Sequence, residues 1–81
     1  MKKKTLVGVD GNAFCIIGTV CDWMEEAYGL AKQRSDEDGM KAFNEEAIDV
    51  YTSDAISSDY DHLLDVSVKM TDKINEYCCK E

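Results

Sequence analysis

Apolar and polar positions alternate along this chain with a helical period over three stretches and with a strand-like pattern over one. From Ala13 to about Gln33, twelve residues fall on one arc of roughly 200° at 100° per residue. They are Ala13, Phe14, Ile16, Ile17, Val20, Cys21, Trp23, Met24, Ala27, Tyr28, Leu30 and Ala31. An ordinary surface helix needs a stripe of about 100° or a little more, so this helix is expected at the centre of the fold, with Asp10 or Asn12 capping it. Gly18 and Gly29 fall on its polar side. A second helix is expected over about 37–52, with Met40, Phe43, Ala47, Val50 and Tyr51 as its buried stripe and Glu45, Glu46 and Asp49 facing water. A third is expected over about 59–77, burying Tyr60, Leu63, Leu64, Ser67, Met70, Thr71, Ile74, Tyr77 and Cys78. Both later helices are preceded by capping-box spacing, Ser35 to Asp38 and Ser58 to Asp61. Ala55 and Ile56, in the loop over 53–58, are expected to tuck against the core.

Before the first helix, Thr5-Leu6-Val7-Gly8-Val9 is a β-branched run stopped by Asp10-Gly11. One strand cannot satisfy its own backbone, so this segment (4–10) is expected either to pair as a short strand or to lie as an extended arm on the helices. The fold class that follows is mainly α: a short N-terminal β-strand or extended arm, then three amphipathic helices in a single domain. The expected core is Phe14, Ile17, Met24, Phe43, Leu63, Leu64, Met70 and Ile74. Truncating Phe14 is expected to cost about 3–5 kcal/mol. The excess apolar arc of the first helix and the lone strand point to a homodimer or higher oligomer.

Composition narrows the function. The 81 residues carry 17 acidic and 9 basic side chains, a net charge of −8, with 44% hydrophobic residues and no proline. Outside Lys2 to Lys4 there is no cluster of Lys or Arg, which argues against binding along a nucleic-acid backbone. No apolar run approaches the roughly 20 residues that span a bilayer. The apolar stretch after the N-terminal lysines is too short for a signal peptide, so a cytoplasmic protein is expected. Cys15, Cys21, Cys78 and Cys79 match no C-x-x-C metal or redox spacing and are expected as thiols.

Candidate chemistry is sparse. The only histidine, His62, projects onto a polar helix face beside Asp65 and Lys69, where ordinary titration is expected. Cys15 sits near a helix N-terminus but no histidine is placed beside it. Asp59 and Asp61 stand about 160° apart around a helix and do not form a carboxylate pair. No enzyme, metal site or cofactor is expected. Two segments remain as candidate binding elements, Asp10-Gly11-Asn12 and Asp59-Tyr60-Asp61-His62. The first could cradle an anion on free amides, although Asp10 puts negative charge where a phosphate would sit. The second could form a recognition edge with Asp54 and Asp65.

The Asp-Gly-Asn-Ala-Phe segment at 10–14 and the Ser-x-Asp-Tyr-Asp-His-Leu-Leu segment ending at Leu64, with the acidic helix between them, resemble those of a recurring kind of small phage-encoded protein. The similarity runs from Val9 to about Met70. The ending departs from it, since an aromatic-rich terminus is replaced here by Thr71 to Glu81. The resemblance implies a source, the host-cell cytoplasm and an architecture, and attaches no activity. By analogy, small phage accessory proteins act stoichiometrically. The first expectation is an inhibitor of a host or anti-phage defence protein, acting through an acidic surface. The alternative is an oligomer that sequesters a nucleotide-like signal between protomers, with phosphates held by some of Lys2 to Lys4, Lys32, Arg34, Lys41, Lys69 and Lys73.

Overall fold

The computed structural model describes residues 3–79, so Met1, Lys2, Lys80 and Glu81 lie outside the described residues. The described residues are mainly α, with four helices among them: α1 (Ala13–Gln33), α2 (Glu37–Phe43), α3 (Glu45–Ala55) and α4 (Tyr60–Cys78). No strand occurs among the described residues.

The helix expected over 37–52 is two helices. Asn44 has extended backbone (φ −73°, ψ 178°), and its Oδ1 accepts the Ala47 N–H at 2.8 Å. The extended backbone at Asn44 ends α2 and its side chain caps α3, and Glu45 and Glu46 then complement the α3 dipole. The other caps lie close to their expected places. Asn12 caps α1 by accepting the Phe14 N–H. Asp36 and Asp59 cap α2 and α4, each one residue beyond the serine that the capping-box spacing singled out. The α1 C-terminus closes with the Ser35 N–H on the Lys32 carbonyl and the Asp36 N–H on the Ala31 carbonyl. This Schellman pairing needs a left-handed residue, and Ser35 supplies it at φ 53°.

α1 packs against all three other helices, so it is the central element. Its six buried residues, Ile16, Ile17, Val20, Met24, Ala27 and Ala31, occupy only about 100° of the 200° arc. Phe14 stands about 110° from the middle of that sector. It lies in the first turn and is 81% exposed, so it is not a core residue. Val50 and Ile56, also expected inside, are exposed, as is Tyr60; Leu64 and Met70 are half-buried. Ile17, Met24, Phe43, Leu63 and Ile74 are buried as expected.

Gly18 is exposed on α1, and a Cβ there would meet no atom within 4 Å. Gly18→Ala is therefore expected to raise stability by up to about 1 kcal/mol, the helix-propensity difference, in urea unfolding. A loss would show that the bare backbone makes an approach the monomer does not contain.

The segment before α1 is an arm with a turn in it. The Val9 N–H donates to the Leu6 carbonyl, and Gly8 has φ 87°, the positive value a type II turn requires at its third position. Gly8 thus breaks the run expected as a strand. The arm lies antiparallel along α4. Near one end of α4, Asn75 Oδ1 accepts the Lys4 N–H at 2.8 Å and its Nδ2 donates to the Lys4 carbonyl at 2.7 Å. Thr5, Leu6 and Val7 share a shallow groove with Val68 and Thr71. At the other end, the Tyr60 hydroxyl donates to the Gly11 carbonyl. The Lys4 side chain crosses to α1, pairing with Glu26 at 2.9 Å over the Trp23 ring. α1 and α4 run parallel, since Gly11 meets Tyr60 at one end and Arg34 Nη1 reaches the Tyr77 carbonyl at the other.

Candidate recognition edge

The two candidate segments meet. The Tyr60 hydroxyl bonded to the Gly11 carbonyl joins the loop before α1 to the first turn of α4, although 49 residues separate them. Each side is locally stiff. Asp10 Oδ1 accepts the Asn12 N–H, and Asn12 Oδ1 accepts the Phe14 N–H, both at 2.9 Å. Asp59 Oδ1 accepts the His62 N–H at 2.9 Å. The first two bonds occupy amides that an anion would need, so this loop is built as a cap and turn rather than a phosphate cradle.

Asp10, Gly11, Asn12, Asp59, Tyr60 and Asp61 are all exposed, and His62 is partly covered. Phe14 is the second residue of α1, in its first turn, and Tyr60 keeps 45% of its surface exposed. The corner therefore presents the Tyr60 ring between Asp59 and Asp61 in sequence, while Phe14 stands exposed two residues after Asn12. Helical periodicity assigns Phe14 to the core, but it is 81% exposed. The only available signal was its position in the first turn, at the margin of an arc too wide for its partners to cover.

His62 Nε2 sits 3.0 Å from Asp54 Oδ1, which brings the end of α3 to the same corner. Hydrogen bonding to Asp54 raises the His62 pKa above its ordinary 6.5, partly opposed by desolvation, so its titration is not the ordinary one expected from a fully solvated face. Asp65 is not part of this contact and pairs with Lys69 at 3.0 Å. Because the folded pKa is raised, the pair's stabilisation is fully present below about pH 6.5 and is lost as pH rises through the folded value. The stability gap between the native chain and His62→Gln is expected to be larger at about pH 5.5 than at about pH 8.5. Equal gaps in urea titrations would rule the pair out.

No group of three or more His, Cys, Asp or Glu side chains among the described residues is arranged to hold a metal ion. Among these residues, no helix is long and apolar enough to cross a membrane. Cys15 is exposed, whereas burial pushes the Cys78 thiol pKa up. Of the lysines considered for phosphates, Lys41, Lys69 and Lys73 converge on a groove between α3 and α4, but Glu46 and Asp54 share its rim. No protein-family model, curated protein or solved structure matches this chain.

Proposed function

We propose that this protein acts by stoichiometric binding, as a phage-type accessory protein that inhibits a host or anti-phage defence protein through the acidic corner formed by the starts of α1 and α4. The observation that carries this reading is the 81% exposure of Phe14 beside a corner that the Tyr60–Gly11 hydrogen bond holds together. A large aromatic ring left in water is favourable to bury, and protein interfaces concentrate their binding energy in such anchors surrounded by polar groups. Here the neighbouring corner carries the carboxylates of Asp10, Asp59 and Asp61 on a chain of net charge −8, so the partner surface is basic with an apolar pocket. The resemblance to small phage-encoded proteins supplies the setting. The nucleotide-sequestering alternative is disfavoured by the mixed charge of the lysine groove, which does not collect an anion on all sides.

The test is affinity capture of the tagged chain from host cells, run in parallel with Phe14→Ser. The substitution lies at an exposed site and is expected to change stability by no more than about 0.5 kcal/mol. A specific partner should be lost with Phe14→Ser and should weaken between about 50 and about 500 mM salt. Equal capture by both proteins, or capture indifferent to salt, would contradict the assignment.

A further inference from the structure

Among the described residues, α1 covers the α3–α4 hairpin on one side only. Its other side is a groove of about 760 Å³. Ala47, Val66 and Met70 line its apolar part, and Val50 stands on its edge at 65% exposure. The two lips carry opposite charge. On α3, Glu46 and Asp54 flank Val50 at helical spacing, Asp54 being already paired with His62; on α4, Lys69 and Lys73 lie beside Met70, with Lys41 of α2 at the same end as Lys73. Lys69 pairs with the solvent-exposed Asp65 at 3.0 Å, a pair of small worth that can exchange partners.

We propose that this groove is a homodimer interface, filled by the same face of a second copy about a two-fold axis parallel to α3 and α4. Charge selects that axis. Rotation about it preserves the direction of each helix and exchanges the two sides, so the acidic α3 lip of one copy lies against the lysine lip of the other, twice over. An axis across the helices would set lysine on lysine and acid on acid. Because the chain reverses between α3 and α4, each α3 then lies antiparallel to the other copy's α4, with Val50 entering the apolar part of the opposite groove. A self-complementary patch of this kind is what a closed two-fold dimer requires, and paired charges flanking an apolar seam set its register. The arrangement does not depend on the function proposed for the Phe14 corner.

Sedimentation equilibrium of the full chain from about 1 to about 200 μM tests it. The native chain is expected to dimerise, and Val50→Asp, at an exposed site, to stay monomeric with unchanged helical circular dichroism. Glu46→Lys and Lys73→Glu should each weaken the dimer about tenfold or more, and E46K/K73E together should recover most of the loss. A native chain monomeric at about 200 μM, a dimer that survives Val50→Asp, or a double variant no tighter than the single ones would each overturn the proposal. So would a native mass spectrum showing only monomer with a small molecule bound.

Discussion

Replacing Phe43 by alanine is expected to destabilise the protein by about 3–5 kcal/mol, the range for removing a fully packed phenylalanine. Phe43 is 1% exposed and is among the largest fully buried side chains of the core. It also stacks on Tyr77, with ring centroids 5.6 Å apart and planes tilted by 54°. At about 0.05–0.15 kcal/mol per residue, a domain of this length has about 4–12 kcal/mol of stability in all. The variant is thus expected to unfold at a much lower urea concentration or to lack a folded baseline. Alanine at Phe14, in the other phenylalanine's place, is expected to shift stability by no more than about 0.5 kcal/mol. Similar losses at the two positions would mean that the core is centred elsewhere.

Phe43 matters beyond its own volume because of what lies around it. Tyr77 donates its hydroxyl to Asp36 Oδ2 at 2.8 Å, while Asp36 Oδ1 accepts the Gly39 N–H at 3.1 Å as the α2 cap. The Gly39 amide and then the Tyr77 hydroxyl hold the Asp36 carboxyl below its ordinary pKa. Its contribution is therefore present above about pH 3.8 and lost as pH falls through the folded value. Gly39 is required here for space, since a Cβ would stand within 3 Å of the Tyr77 ring and hydroxyl. A cap, a stacked ring and a helix contact thus depend on one another at the junction of α2 with α4.

The second large effect is expected at Asn75, which is buried and uses both ends of its amide on the Lys4 backbone. Asn75→Ala removes two hydrogen bonds and leaves the Lys4 N–H and carbonyl without these partners. At about 1 kcal/mol for each bond, with some further cost for stranded polar groups, the loss should be about 2–3 kcal/mol. The arm should also loosen. Limited proteolysis is then expected to cut between Thr5 and Val9 faster in the variant, while the helices keep their circular dichroism. A stability loss without faster cleavage would show that Asn75 serves the core alone.

The extent to which the sequence announces these features varies from residue to residue. The length of α1 was legible because its apolar period is long and a cap precedes it. The division of the second helix was less so: the pattern of Phe43, Ala47 and Tyr51 continues across the break, while the signal lies in Asn44 followed by two glutamates. Gly8 in the middle of a β-branched run was a legible mark against a strand, and the turn shows why. Phe14 could not be placed by periodicity, because an arc of about 200° does not say which half its neighbours will cover. The meeting of Gly11 with Tyr60 was not legible either. Both segments could be recognised as helix starts, but only the parallel packing of α1 and α4 brings those starts to one corner.

Site-specific photo-crosslinking from position 14 tests the binding role of that corner most directly. A photoreactive phenylalanine analogue would replace Phe14, with the same analogue at exposed Ser53 as the control. In host cells producing the protein, one basic partner is expected to crosslink from position 14 and not from position 53. No partner from position 14, or the same partners in equal yield from both positions, would contradict the assignment of the corner as the recognition surface.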